Sequence, residues 1–215
     1  MSELSESGFR FLKKTPIKFI ATIGEDGYPN LVPILSTTAW DRSTICFVRF
    51  MAWKTKRNLE ERRKVSIGGF GFFKSIEVLG EFIGFERAGP RLEFFNAQPL
   101  YRYNAYFGAG EVGVIKVVNE KGWVKSEIWR ALEARLAGIS NDGKDEEPEI
   151  MPLVVREKLR RALAIKYVSW IEDDAMPRLA PVMGAFPISK SRIGILGGRQ
   201  IFQTFEPGTK LAVSV

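Results

Sequence analysis

The residues best suited to chemistry lie in one basic stretch, RFMAWKTKRNLEERRKVSI, which begins at Arg49. Arg49 ends an apolar run, Lys54, Thr55 and Lys56 follow in a predicted loop, and Asn58 stands at the predicted start of a short helix. Loop cations, a hydroxyl and the free N–H groups of a helix start together favour a phosphate group. The stretch therefore predicts a site for a phosphate-bearing ligand. The alternative is a solvated basic helix face.

The chain contains no histidine, which removes several kinds of chemistry. Ser-His and Cys-His nucleophile pairs, His-ligated zinc and imidazole acid–base catalysis are all excluded. The single cysteine, Cys46, lies in the apolar run TICFV and is expected to be a buried thiol. Any reaction must therefore use carboxylates, lysines, tyrosines or a bound cofactor.

The overall composition is that of a globular protein, with 45% hydrophobic and 27% charged residues in 215. No apolar run approaches the roughly 20 residues that a membrane span needs. One cysteine and the absence of a leader-like N-terminus predict a cytoplasmic protein. The net charge of +7 favours an anionic partner, and a nucleic acid is one option.

Two stretches of the chain resemble each other: KFIATIGEDGYPNLVPI from Lys18 and KYVSWIEDDAMPRLAPV from Lys166. They align without a gap at an offset of 148 residues, with 6 identities in 17 positions, where about one is expected by chance. Each follows a helix-like segment and is predicted to form two strands around an acidic turn. Pro33 and Pro181 predict an edge, a bulge or a gap in the second strand of each pair. The chain is thus predicted to contain a partial internal repeat.

The first copy continues into further predicted strands, which gives six β-elements before Ser126. One of these elements is the whole run NLVPILSTT, and NEKG from Asn119 is expected to be a hairpin turn. The second copy is expected to hold at most four strands. We predict a small β-barrel domain over 1–140, an acidic linker over 141–149 and a degenerate partial repeat over 150–215; the family resemblance described below implies that the barrel is a split barrel.

Two further motifs have possible binding roles. GAGEVG from Gly108 fits the glycine pattern of dinucleotide-binding folds, but a β-branched run follows it where a helix is required, so a loop is favoured. The aromatic segment LEFFNAQPLYRYNAYFG favours packing over base stacking. Within it, Tyr101, Arg102 and Tyr103 are candidates for substrate contact.

The order FIATIGEDGYPNLVPI, TICFVRF, KTKRNLEERRKVSI and IEVLGEF resembles the pyridoxamine phosphate oxidase-related, FMN-binding split-barrel family. The resemblance covers roughly residues 8–120. It implies a mainly β fold with flanking helices, in which a six-stranded split β-barrel is followed by the partial repeat of the same half-barrel. It also implies a homodimer with FMN at the subunit interface.

The resemblance also assigns roles to residues. The flavin ring would lie along Val32, Pro33 and Ile34. The phosphate would be surrounded by Arg49, Lys54, Thr55, Lys56 and Asn58.

The sequence departs from the family pattern at three positions of this site. Arg49 stands where the family often has threonine, Trp53 where serine is usual, and Thr55 where lysine is usual. A deazaflavin or no cofactor at all therefore stays open beside FMN.

The resemblance predicts an FMN-dependent oxidoreductase whose substrate the sequence does not indicate. The alternatives are a non-catalytic protein that binds a nucleotide or nucleic acid, and a structural protein without a cofactor.

Overall fold

The structure is a computed structural model that describes residues 3–48, 53–99, 108–139, 148, 150–172, 175–197 and 205–215, with only the backbone at 137–139. It is mainly β, as predicted, and the described residues include five helices. The helices are α1 (Glu6–Lys14), α2 (Trp53–Arg62), α3 (Pro90–Ala97), α4 (Arg130–Ile139) and α5 (Leu153–Arg160). Within these described ranges, no helix has the length and apolar character needed to cross a membrane.

The N-terminal part of the chain forms one antiparallel sheet. Its strands are β1 (Lys18–Ile23), β2 (Pro29–Pro33), β3 (Thr38–Ala39), β4 (Thr44–Val48), β5 (Lys64–Gly69), β6 (Lys74–Glu86) and β7 (Val112–Lys125). The strand order is β2-β1-β5-β6-β7-β4-β3. The sheet therefore has seven strands, where the sequence predicted six β-elements.

The additional strand arises because NLVPILSTT is divided into β2 and β3. A turn separates them, closed by a hydrogen bond from the Thr37 N–H to the Ile34 carbonyl (3.1 Å). β2 and β3 lie at opposite edges of the sheet, yet the chain from Pro33 to Thr38 spans at most about 18 Å. The sheet must therefore curl until its edges approach each other, which produces a barrel that is open between β2 and β3.

β6 and β7 are the longest strands of the sheet, with 13 and 14 residues, and they pair antiparallel along their length. The register shifts between Glu77 and Val78, and Gly122 opposite this point has a positive φ of 93°. NEKG is therefore part of β7 and forms an irregularity within the strand, so its prediction as a hairpin turn was wrong. Glycine permits the left-handed backbone conformation there.

Helices close the barrel and complete its core. Ser5 caps α1, because its side chain accepts a hydrogen bond from the Gly8 N–H (3.0 Å). Leu12 of α1 and Leu59 of α2 are fully buried among the inward-facing strand residues. Cys46 is also buried, as predicted, and burial raises the pKa of its thiol to about 12.

The C-terminal part of the chain, which we call the C-terminal unit (150–215), contains five described strands rather than at most four. They are β8 (Tyr167–Ile171), β9 (Pro177–Pro181), β10 (Gly184–Pro187), β11 (Ile193–Leu196) and β12 (Ala212–Ser214). β12, β8 and β9 form a three-stranded sheet in that order, and β10 pairs with β11. The fifth strand, β12, comes from the last residues of the chain.

The strand pairings of the two similar stretches coincide at an offset of 148 residues. Phe19 is opposite Pro33 in the β1–β2 hairpin, and Tyr167 is opposite Pro181 in the β8–β9 hairpin. The β3–β4 and β10–β11 hairpins also share their register at this offset. β2 and β9 are both edge strands, so the position predicted from their prolines is confirmed.

The C-terminal unit packs onto the outer face of β1, β2 and β5 within the same molecule. A buried apolar cluster joins Phe19, Ala21 and Leu31 to Tyr167 and Leu179. Gly68 of β5 makes room for this contact, because a Cβ atom there would lie 2.2 Å from Leu179 Cδ1.

Candidate cofactor site

The basic stretch that the sequence singled out is mostly helical. α2 begins at Trp53, so Lys54, Thr55 and Lys56 form its first turn. The sequence had placed these three residues in a loop and the helix start at Asn58, which was wrong. Arg49 lies outside the described residues.

Thr55 and Asn58 face the β1–β2 hairpin and are almost completely buried, with 2% exposure each. The Asn30 amide of β2 donates a hydrogen bond to Thr55 Oγ1 (3.1 Å), and the Asn58 amide donates one to Thr22 Oγ1 (3.0 Å). These hydrogen bonds hold the first turns of α2 against β2, through Asn30, and against β1, through Thr22. Burying polar side chains in this way is favourable only because they are paired.

Lys54 and Lys56 diverge, because residues two apart in a helix lie on different faces. Lys54 lines a cavity of about 410 Å³ together with Glu25, Asp26 and Arg57. Lys56 lines a different cavity, of about 560 Å³. The two predicted phosphate ligands therefore do not converge on one point.

Carboxylates surround Lys56. Its Nζ atom lies 3.0 Å from Glu111 Oε1 and 3.8 Å from Glu60 Oε1. It also lies 5.0 Å from the centroid of the Phe85 ring. Lys54 is an exposed cation in the first turn of the helix, and Glu25, Asp26 and Arg57 line the same cavity.

The three residues predicted to line a flavin ring lie at the edge of the barrel. Val32 and Ile34 are half-buried and pack against the barrel core, whereas Pro33 is exposed. Only Pro33 of the three offers its side chain to a ligand outside the barrel. The half-buried side chains of Val32 and Ile34 are only partly accessible at this edge.

A cleft beside the Pro33 end of β2 was missed by the sequence analysis. It has a volume of about 430 Å³ and lies between the end of α1, the turn from β2 to β3, and α3. Three lysines, Lys13, Lys14 and Lys18, line it together with Thr37, and none of its described lining residues is a carboxylate. The signal in the sequence was weak, because the lysines belong to two short segments and Lys18 had been considered only as a position of the repeat.

Two polar groups in this cleft, the Lys18 ammonium and the Thr37 hydroxyl, are buried. Lys18 is 4% exposed and its Nζ donates to the Thr15 carbonyl; burial lowers the pKa of this ammonium to about 8. Thr37 is fully buried, and its Oγ1 has no hydrogen-bond partner among the described residues. An unpaired buried hydroxyl and three lysines are the features expected of a site for an anionic ligand.

Comparison of the chain with known proteins finds similarity to solved structures only. No protein-family profile and no curated protein sequence matches it. Its similarity to solved structures includes HupZ from Group A Streptococcus, with 19% identity over 54% of this chain and 91% of that chain and a TM-score of 0.46.

Two further solved structures have comparable similarity. A candidate pyridoxamine 5′-phosphate oxidase from Lactobacillus delbrueckii has 18% identity over 55% of this chain and 92% of that chain, with a TM-score of 0.45. An FMN-binding protein from Syntrophomonas wolfei has 18% identity over 54% and 84%, also with a TM-score of 0.45. The structural neighbours are thus pyridoxamine 5′-phosphate oxidase-like, FMN-binding proteins, as the resemblance in the sequence predicted.

Proposed function

We propose that this protein is an FMN-binding flavoprotein of the pyridoxamine phosphate oxidase-related split-barrel class and that it acts as an oxidoreductase. The observation that carries the proposal is the contact between the first turn of α2 and β2, through the hydrogen bond from Asn30 to Thr55 (3.1 Å). This contact places the first turn of α2, which carries the exposed Lys54, against the edge strand that also carries the exposed Pro33. One ligand with a phosphate and a planar ring could then contact both.

In this proposal the residues of α2 have separate tasks. Lys54 and backbone N–H groups of the first turn bind the phosphate, together with Arg49 from the preceding segment. Thr55 and Asn58 hold the helix in position through their buried hydrogen bonds. Lys56 contributes less to the phosphate site, because Glu111 already neutralises much of its charge.

The ring of the flavin would lie along the edge formed by Val32, Pro33 and Ile34. FMN, when bound, supplies hydride or electron transfer, and the protein orients it. The lysine-lined cleft at the end of β2 would then receive an anionic substrate. Lys18 is the proposed proton donor there, since a pKa of about 8 allows both protonation states near neutral pH.

We also propose that the C-terminal unit is a partial second copy of the barrel's opening motif. The shared strand registers and the packing on β1, β2 and β5 support this origin. The C-terminal unit covers this outer face, so the proposed homodimer must use another surface. The exposed apolar side chains Leu132 and Leu136 of α4 offer one.

Light scattering coupled to size-exclusion chromatography tests the homodimer. The wild type is expected to elute as a dimer, and the double variant Leu132→Glu, Leu136→Glu as a monomer. A wild type that is monomeric at every concentration would contradict the proposed homodimer.

The decisive test of the flavin proposal is the absorption spectrum of the gently purified protein, followed by mass spectrometry of the ligand released on denaturation. We expect a yellow protein that releases FMN. Release of a deazaflavin would retain the site but change the cofactor. A colourless protein that takes up no added flavin contradicts the proposal.

A nucleotide- or nucleic-acid-binding protein is the second candidate, favoured by the net charge of +7. It predicts a colourless protein whose affinity for single-stranded RNA falls steeply with salt concentration. A protein without a cofactor that has only a structural role predicts neither behaviour. The spectrum and a salt titration together therefore separate the three possibilities.

A further inference from the structure

The C-terminal unit contains a cavity that the flavin proposal does not use. Its volume is about 450 Å³, and it lies between α4, α5 and β10. Ala131 and Ala134 of α4 form one wall, Leu159 of α5 a second, and Phe186 of β10 a third. A cavity of this size can hold a small organic molecule.

The charged residues around this cavity are all cations. Arg135, Arg160, Arg161 and Lys166 line it, and no carboxylate among the described residues does. Cations gathered around one cavity repel each other, and an anion between them relieves this repulsion. The remaining lining residues are apolar.

Lys166 is the residue that most strongly indicates a ligand. It is 1% exposed, and its Nζ reaches only the Met183 carbonyl, at 3.5 Å, among the residues that the structure describes. No carboxylate in the described ranges forms an ion pair with it. A buried ammonium without a counter-charge is costly, and burial lowers its pKa to about 8.

The position of the cavity in the fold is a second, independent observation. At the offset of 148 residues, Lys166 corresponds to Lys18 and Arg161 to Lys13, and both of these lysines line the cleft beside β2. In each half a helix covers the opening, α3 over the N-terminal cleft and α4 over the C-terminal cavity. The two sites are thus equivalent places in the two halves, each with a buried lysine.

We propose that the C-terminal unit binds a small organic anion in this cavity, with Lys166 and Arg161 facing its charged group. The charged group is a phosphate or a carboxylate. The body of the ligand is apolar, since the walls are alanine, leucine, phenylalanine and proline side chains. The C-terminal unit then has a binding role of its own, although it lacks most of the basic stretch of α2. This inference does not depend on flavin binding in the barrel.

The test uses the full-length protein and three probes of similar shape: phenyl phosphate, benzoate and neutral benzyl alcohol. Bound probe is detected by its protection of Lys166 from acetylation by an activated ester, mapped by mass spectrometry of peptides. Phenyl phosphate or benzoate is expected to protect Lys166, and benzyl alcohol is not. The better of the two anions identifies the charged group.

Variants make the assignment specific. Arg161→Gln removes an exposed cation at the cavity and is expected to raise the phenyl phosphate concentration needed for half-protection of Lys166 about tenfold. Lys158→Gln, which makes the same change in charge on the solvent face of α5, is expected to leave it unchanged. Lys13→Gln is also expected to leave it unchanged, because that residue lines the N-terminal cleft.

Three results would each overturn the proposal. One is no protection of Lys166 by millimolar anions. Another is equal protection by benzyl alcohol, which would indicate a purely apolar cavity. The third is an equal effect of Arg161→Gln and Lys158→Gln, which would reduce the interaction to general surface charge.

Discussion

Phe19 and Tyr167 stack on each other with ring centroids 4.3 Å apart and an interplanar angle of 23°. They are also equivalent positions, 148 residues apart, in the two similar stretches of the chain. The stacked pair belongs to the buried apolar cluster that joins the C-terminal unit to the outer face of the barrel.

A double-mutant cycle on this pair measures the contact between the two halves. Phe19→Leu and Tyr167→Leu should each lower the free energy of unfolding. The loss in the double variant should be smaller than their sum by about 1 kcal/mol, the typical coupling of an aromatic pair. Urea unfolding followed by tryptophan fluorescence gives the four values.

The control for this cycle pairs Phe19→Leu with Phe205→Leu, since Phe205 packs on Trp170 in the core of the C-terminal unit. Those two losses should add. Additive losses for Phe19 and Tyr167 as well would mean that the stacking contributes nothing specific.

The ion pair between Glu77 and Arg178 is the main polar contact between the halves. Glu77 is 4% exposed and accepts hydrogen bonds from Arg178 Nη2 (2.7 Å), the Leu179 N–H (3.0 Å) and Ser66 Oγ (3.1 Å). Glu77→Gln leaves the guanidinium without its main partner and should lower the free energy of unfolding by about 3 kcal/mol. Glu81→Gln, an exposed position of the same strand, should change it by less than about 0.5 kcal/mol.

Replacing both partners tests whether the cost comes from an unpaired charge. The double variant Glu77→Leu, Arg178→Leu buries no charge at this position, so it should be more stable than Glu77→Gln alone. If the losses of the two single replacements instead add in the double variant, the two residues are not coupled and the ion pair contributes nothing specific. Chemical denaturation of the four proteins decides between these cases.

The two buried lysines predict an unusual dependence of stability on pH. Burial lowers the pKa of Lys18 and of Lys166 from 10.5 to about 8. Between pH 8 and 10.5 the unfolded chain therefore binds more protons than the folded chain, and stability rises with pH across this window. Below pH 8 both states carry the charge, so the full cost of burying it, about 3 kcal/mol for each lysine, is present.

Lys166→Met isolates this contribution in the C-terminal unit, where Arg135, Arg160 and Arg161 surround the ammonium. The difference in unfolding free energy between wild type and Lys166→Met should shift in favour of the wild type from pH 8 to 10.5. Cys46 and Tyr167, whose raised pKa values act in the opposite direction, cancel because both proteins contain them. Lys158→Met, at an exposed position, should show no such shift. A difference that is constant with pH would mean that Lys166 titrates normally.

Part of the fold was predictable because it depends on local patterns. Pro33 and Pro181 predicted an edge, a bulge or a gap, since proline removes a ladder hydrogen bond wherever it stands, and both β2 and β9 are edge strands. The division of NLVPILSTT was not predictable, because it depends on a distant strand. The Ser36 hydroxyl accepts a hydrogen bond from the Val48 N–H (3.0 Å), and this contact fixes the turn between β2 and β3.

The candidate site was also only partly predictable, because it depends on contacts between distant parts of the chain. The sequence located the basic stretch, but the start of α2 depends on hydrogen bonds from Asn30 and to Thr22, which are more than 20 residues away in the chain. The lysine-lined cleft needs α1, β1 and α3 together, and no local pattern connects these segments. Composition therefore indicated an anionic partner without showing where it binds.

The divergence of Lys54 and Lys56 gives the sharpest test of the proposed phosphate site. Loss of one charge-assisted hydrogen bond to phosphate costs about 1.5–3 kcal/mol, so Lys54→Ala should weaken FMN binding at least about tenfold. Lys56→Ala should weaken FMN binding much less, because the Lys56 ammonium already forms an ion pair with Glu111 at 3.0 Å. Titration of the apoprotein with FMN, followed by quenching of flavin fluorescence, measures each affinity.

Lys121→Ala removes an exposed lysine of β7 and serves as the control for net charge. If Lys54→Ala binds FMN as tightly as Lys121→Ala does, the phosphate lies elsewhere, and the lysine-lined cleft at the end of β2 becomes the next place to look.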